Sequence, residues 1–425
     1  MLSLTKYEDR APAQNPNWDT KLPNKEENAT MMFEYFPDNY PWSMAAVMAI
    51  NAGAVLSEVH EALEPLKPVA AANDDAANDA WHARWMMLGE RNERLADADD
   101  AAGRRLSASA KYKRAAVYYM TAERMCKSEA PIRIETYKRM LDMFRKGVER
   151  ENGPVEWVEV PYSHDGRDTG LPALFFPANP KAVTGNGPAP CIIHFDGLDV
   201  MKEFLYLAGL ARAYAARGIS TLLIDHPGVG EALRLRDLKL FPETEIPAGA
   251  ALDYLETRDD VDSDRIGMAG ISLGGYYVPR AAGFEHRLKC AIAWGGINDY
   301  GKITRGRLDG TGTKLSVSHW EEHMNWVFGT NSAEEILEVV DRMNLEEAVP
   351  NIECALLVVH GEGDRQIPLE MAQKTIREAV KSPRAELKVF TAEDGGVEHC
   401  QVDNGAMAVE YMADWAADVL GGKAG

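Results

Sequence analysis

Ser272 stands in the pentapeptide Gly270-Ile-Ser-Leu-Gly274, at the end of the apolar run Arg265–Gly270. A serine hydroxyl becomes a nucleophile when a neighbouring base takes its proton. A sharp strand-to-helix turn would hold that hydroxyl clear of the sheet edge, within reach of a base and a substrate. Side chains at Gly270 and Gly274 are expected to collide with the flanking backbone, hence the glycines. The pentapeptide alone is weak evidence, so a base, an acid and an oxyanion hole must come from elsewhere in the chain. His399, in the glycine-bearing loop Asp394-Gly-Gly-Val-Glu-His399, is the candidate base. Asp364, in Gly361-Glu-Gly-Asp364 after the apolar run Ala355–His360, is the candidate acid, with Glu362 and Asp394 as competitors. His399 would take the Ser272 proton, and Asp364 would fix the imidazole tautomer and stabilise the imidazolium. Backbone N–H groups must then face the developing oxyanion. Leu273 is expected to give one, and Gly197 or Leu198, in His194-Phe-Asp-Gly-Leu-Asp199, the other.

These residues need rigid elements behind them. From residue 155 eight strands are expected: 155–160, 171–176, 191–195, 220–225, 265–270, 290–294, 355–360 and 386–390. Helices are expected between most of them, at 202–217, 247–256, 273–283, 370–380 and 404–419. That alternation implies an α/β fold with a mostly parallel, doubly wound sheet, whose ligands bind beyond the carboxyl ends of the strands. The order Ser272, Asp364, His399 is the chain order of the α/β-hydrolase triad. Before residue 150 the pattern is helical. Ile134, Tyr137, Leu141, Phe144 and Val148 mark one apolar face at steps of three and four. Trp85-x-x-Leu88-Gly89 opens like a tetratricopeptide repeat, but no further copy follows. The expected organisation is an arm over 1–30, a helical lid domain over 31–150 and an α/β-hydrolase catalytic domain over 151–425. Residues 298–348 form an insertion over the active site.

Composition narrows the classes. The formal charge of −20, from 46 basic and 66 acidic residues, argues against nucleic acid or an anionic membrane as partner. The five cysteines form no C-x-x-C pair, consistent with a reducing cytoplasm. His319-Trp-Glu-Glu-His323 matches the H-x-x-E-H zinc pattern without an evident third ligand, and no metal or cofactor is expected. Gly228-Val-Gly230 lacks the third glycine of a dinucleotide fingerprint and is expected to be a turn.

Five segments carry a family resemblance: Gly197–Glu203, Asp225–Glu231, Val261–Gly267, Gly270–Tyr277 and His360–Asp364. With them the chain resembles the α/β-hydrolase group of 2,6-dihydroxypseudooxynicotine hydrolase, the fungal heptaketide-shortening hydrolases and FrsA-like esterases. His226 departs from that pattern, standing where the motif D-G-P-G-x-G-E has glycine. The resemblance implies a helical lid, homodimers in some members and cleavage of carbon–carbon bonds beside a ketone. The expected function is a serine hydrolase acting through an acyl-enzyme on an aromatic or polyketide-like ketone. The alternatives are a carboxylesterase on a bulky ester and, from another class, a non-catalytic ligand-binding protein of this fold. Asp199, His226 and Tyr276 are expected substrate-binding residues.

Overall fold

The computed structural model describes residues 32–185 and 187–423; the expected arm over 1–30 lies outside the described residues. Eight apolar runs form strands β1 (Glu156–His164), β2 (Arg167–Phe176), β3 (Ala189–Phe195), β4 (Ser220–Ile224), β5 (Val261–Ile271), β6 (Cys290–Trp294), β7 (Ala355–Gly361) and β8 (Ala385–Phe390). They join in one sheet of order β1-β2-β4-β3-β5-β6-β7-β8. β1 pairs antiparallel with β2, and β2 with β4; every later pairing is parallel. This is the α/β-hydrolase fold, as the alternating pattern implied.

Helices α1 (Tyr40–Asn51), α2 (Leu56–Leu63), α3 (Asp75–Ala101), α4 (Arg105–Glu123) and α5 (Pro131–Glu151) precede the sheet. Gly53 stands between α1 and α2 at φ +106°. Between the strands lie α6 (Lys202–Leu207), α7 (Leu210–Ala216), α8 (Gly230–Arg234), α9 (Glu245–Glu256) and α10 (Gly274–Phe284). The stretch expected as one helix over 202–217 is divided, because Gly209 adopts φ +88° between α6 and α7. The insertion folds as α11 (Tyr300–Leu308), α12 (Trp320–Phe328) and α13 (Ala333–Val340); α14 (Leu369–Glu378) and α15 (Gly405–Leu420) follow.

The inner strands β3, β4, β6 and β7 are buried along their whole length, which requires cover on both faces. Alternate residues serve two cores. Ile192, Leu223 and Ile292 join the core shared by α1–α7 and α15, with Trp42, Trp81, Trp85 and Tyr118 packed in a tilted file through it. Ile193, Leu222 and Ala291 join the opposite core, built with α9, α10, α14 and the insertion helices. The Trp85 and Leu88 of the repeat-like motif are core residues of that first layer.

Candidate active site

β5 ends at Ile271, and Ser272 turns the chain into α10 with φ +59°. That left-handed conformation is costly for any residue but glycine, so its surroundings must enforce it. Ser272 N–H donates to Trp294 O at 2.7 Å, and Gly275 N–H donates to Ser272 O at 2.8 Å. The crowding is distributed differently from the sequence expectation. A Cβ on Gly270 would sit 2.8 Å from Val278 Cγ2 and 2.9 Å from Gly274 Cα, but one on Gly274 would meet nothing nearer than 3.8 Å. The tight neighbour is Gly275, whose Cβ would fall 1.7 Å from the carbonyl oxygen of Gly295. There α10 runs against the end of β6, and only glycine fits.

His399 follows β8 and opens a short 3₁₀ turn, His399–Asn404, in which Cys400 and Gln401 both have φ +49°. Its Nε2 lies 2.8 Å from Ser272 Oγ, and its Nδ1 lies 2.8 Å from Asp364 Oδ2. Asp364 Oδ1 accepts from Gln366 N–H at 2.8 Å and Ile367 N–H at 2.9 Å. One carboxylate oxygen is thus pinned by backbone and the other faces the imidazole. Burial pushes the Asp364 carboxyl up, but His399 and the backbone donors outweigh it and hold it below the usual range. Burial alone would depress His399; the Asp364 carboxylate reverses that and raises it well above an ordinary imidazole. The competing acids are engaged elsewhere: Glu362 accepts from Ala392 N–H at 2.6 Å, and Asp394 from Thr391 N–H at 3.0 Å.

The loop after β3 closes on the serine, and a Cβ on Gly197 would come within 2.9 Å of Ser272 Cβ. Among the described residues, the N–H groups of Leu198 and Leu273 donate to no backbone carbonyl. Arg124, just past α4, fixes this loop. Its Nη1 donates to Asp199 O at 3.0 Å, and its Nη2 to Asp199 Oδ2 at 2.9 Å and Ser316 O at 3.3 Å. His323 Nε2 lies 3.4 Å from Leu198 O, whereas His319 Nε2 lies 3.3 Å from Asn78 Nδ2. The two histidines of the zinc-like motif therefore serve different contacts.

A cavity of about 200 Å³ opens beside Ser272 and His399. Met44, Met48 and Asn51 of α1, Phe204 and Leu205 of α6, and Ala406 and Val409 of α15 form most of its apolar wall, with Trp294, Arg124, Asp199 and Ser316 nearer the serine. Asp199 lines it; His226 and Tyr276, expected beside it as substrate-binding residues, lie outside it. His226 is fully buried, stacked on Phe195 at 4.4 Å, with Nδ1 2.9 Å from Pro227 O, and burial pushes its pKa down to about 4. Tyr276 is buried and donates its hydroxyl to Pro242 O at 2.8 Å. Sequence reasoning missed Arg124, Ser316 and Cys400. Only the charged pair Glu123-Arg124 at the end of a largely apolar helix offered a signal for the first.

Known proteins agree with this architecture. The profile described as Esterase FrsA-like matches residues 78–299, and that of the prolyl oligopeptidase family matches 248–423. The chain is 28% identical over 350 residues to the 2,6-dihydropseudooxynicotine hydrolase of Paenarthrobacter nicotinovorans, covering 82% of this chain and 87% of the relative. It is 30% identical over 316 residues to the 20-hydroxy-prefusarin hydrolase of Gibberella moniliformis, covering 67% and 74%. To hydrolase acrC of Aspergillus aculeatus it is 27% identical over 363 residues, covering 77% and 83%. The crystal structure of a 2,6-dihydroxy-pseudo-oxynicotine hydrolase superposes with a TM-score of 0.69 at 25% identity, over 88% of this chain and 95% of that one. Among the described residues, no helix is long and apolar enough to cross a membrane.

Proposed function

The chain belongs to the FrsA-like family of α/β-hydrolases and is a hydrolytic enzyme, and on that premise we propose that it works through a triad of Ser272, His399 and Asp364. The observation that carries this reading is the continuous hydrogen-bond chain from Ser272 Oγ through His399 to Asp364, each link 2.8 Å, at the wall of a largely apolar cavity. His399 takes the Ser272 proton as Oγ attacks a ketone carbonyl, and Leu273 N–H with that of Gly197 or Leu198 holds the oxyanion. Collapse breaks the carbon–carbon bond, and His399 protonates the departing carbon, which a second carbonyl or an electron-rich ring must stabilise. Water then releases the acyl group from Ser272. The relatives named as hydrolases of 2,6-dihydropseudooxynicotine and 20-hydroxy-prefusarin support a small organic substrate. Met44, Met48 and Asn51 of α1 and Arg124 just past α4, all lining the cavity, support 31–150 as a lid, and the five unpaired cysteines support a cytoplasmic setting.

A second reading, carboxylester hydrolysis with the same residues, is favoured by the esterase description of the matching family. Product analysis of wild type and Ser272→Ala on aryl esters and aryl 1,3-diketones separates the two. Serine-dependent release of an acid with a methyl ketone or arene supports carbon–carbon cleavage; serine-dependent release from esters alone supports the esterase. Ser272→Ala is expected to fold normally and lose at least about 10⁴-fold in turnover. Activity within a few-fold of wild type would remove Ser272 from the mechanism.

A further inference from the structure

A second, narrow cavity meets the first at Ser272 and His399. It measures about 20 Å³ and runs past Leu198, Leu273, Tyr300 and Ile303 to Arg307. The two cavities share Ser272, Ser316, Gln366 and His399, so they form two limbs of one site. They differ in chemistry. The broad limb is walled mainly by apolar side chains of α1, α6 and α15. The narrow limb is lined by Leu273 and Leu198, two of the three candidate oxyanion donors, and by Arg307.

Arg307 is unlike the other cation of the site. Arg124 is matched by the Asp199 carboxylate at 2.9 Å. Arg307, among the described residues, forms no ion pair. Its Nε donates to Thr313 Oγ1 at 3.3 Å and its Nη2 to Gln366 O at 3.3 Å, and its guanidinium lies 5.5 Å from the Trp320 ring centroid. These are long contacts to neutral groups. A half-buried guanidinium with no directly paired carboxylate, acted on only at a distance by Asp364 and Asp199, leaves part of its electrostatic demand unmet, and an anionic oxygen delivered by a ligand would meet it. Arg307 sits on α11, near its carboxyl end, where the helix dipole adds to the tolerance of a positive charge.

With the scissile carbonyl at Ser272, where the two limbs meet, its two substituents divide between the limbs, and the narrow one admits only the smaller. At about 20 Å³ the narrow limb excludes a ring or a branched chain and leaves the larger substituent to the broad limb. Resting on the triad reading above, we propose that Arg307 is a specificity-determining residue: the acyl group transferred to Ser272 is short and carries an anionic oxygen, a carboxylate or enolate, that pairs with the Arg307 guanidinium. The bulky apolar remainder of the substrate fills the broad limb as the leaving group. The acid released on deacylation is therefore a short dicarboxylic or oxo acid.

Two substrates that differ only in that charge test the proposal: para-nitrophenyl hydrogen fumarate and its methyl ester, whose trans geometry prevents the free carboxylate from attacking its own ester. Wild type is expected to favour the free acid by at least about tenfold in kcat/KM, and Arg307→Met to erase that ratio while Arg307→Lys keeps part of it. A second readout does not depend on turnover. Fumarate should slow labelling of Ser272 by a fluorophosphonate in wild type but not in Arg307→Met, and butyrate should slow neither. An unchanged ratio in Arg307→Met, a wild-type preference for the methyl ester, or equal protection of both proteins would each overturn the assignment. Those failures leave serine-dependent turnover intact. Ester hydrolysis undiminished in Ser272→Ala would instead bring down the triad and this proposal with it.

Discussion

Replacing Arg124 with methionine tests how the helical layer holds the loop of the oxyanion donors. Arg124 and Asp199 leave only 9% of each side chain exposed, and three Arg124 hydrogen bonds tie Asp199 and Ser316 together. Methionine keeps the aliphatic volume but strands a buried carboxylate. Breaking such a pair from one side costs about 3–5 kcal/mol, here a fall in Tm on the order of 3–6 °C for 425 residues. The sign of the pH dependence follows from Asp199. Burial raises its pKa, but Arg124 outweighs burial and holds it below the ordinary value. A depressed folded-state pKa stabilises above the unfolded pKa and is lost as pH falls through the folded one. In Arg124→Met burial is no longer offset, the Asp199 pKa moves above the unfolded value, and the defect shrinks as the carboxyl takes up a proton. The gap to wild type should therefore narrow as pH falls from neutral toward the ordinary carboxylate range. Slackening of Leu198 should lower kcat on the order of 10²-fold, the scale of one lost oxyanion donor. The assay is thermal and urea denaturation of wild type, Arg124→Met, Asp199→Asn and the double variant across that range. The double variant should regain most of the stability. Strictly additive losses, or a gap that widens toward acid, would refute the pairing as the source of the loop's rigidity.

Asp364→Asn removes the charge that raises the His399 pKa, leaving the burial that lowers it. The acid limb of kcat/KM should move to lower pH while kcat drops by about 10⁴-fold, as pre-steady-state and pH–rate measurements would show. An acid limb that stays in place would remove Asp364 as the partner. Gly275→Ala must displace the Gly295 carbonyl and should fail to give soluble folded protein, whereas Gly274→Ala should lower Tm by no more than a few degrees. Equal tolerance at both positions, read by expression and melting, would contradict the geometry of the turn. His226→Ala deletes a ring stacked on Phe195 in a dry site and should cost about 2–4 kcal/mol by urea denaturation, with KM unchanged. A shift in KM without loss of stability would return His226 to the substrate.

The fold was legible because its signals are local. Runs such as Ala355–Gly361 are too apolar for a sheet wetted on either face, and their alternation with helices leaves few topologies. The edge strands β1 and β8 are partly wetted and mix polar with apolar residues, whereas the inner strands followed from such runs. The helix divided at Gly209 did not, since a glycine inside a helical pattern marks a break only where tertiary contacts favour φ +88°. The candidate triad was legible for a related reason: each member follows a strand, and strand ends converge on one edge. His226 misled because it too follows a strand end, in the turn after β4. Its ring is drawn inward onto Phe195 and Tyr277 rather than toward the cavity, a choice made by packing partners far away in sequence. Gly274 misled because the motif that contains it suggests crowding that the structure gives to Gly275.

Substrate choice belongs to a different class of information. The wall around Ser272 draws Met44 from α1, Arg124 from the end of α4, Phe204 from α6, Ser316 from the insertion and Val409 from α15. No spacing rule links these positions, and each alone reads as an ordinary core or capping residue. They become a site only because the first helical layer and α6, α7 and α15 share one core over a single face of the sheet. A change at Trp81 or Trp85, buried within that core, would therefore be felt at the cavity through α1 and α4 rather than through any contact with substrate. On the proposed reading, the sheet positions the bond-breaking residues, and the helices and the insertion decide what reaches them. Relatives can then keep the one while changing the other, as the different substrates in the names of the two matched hydrolases illustrate.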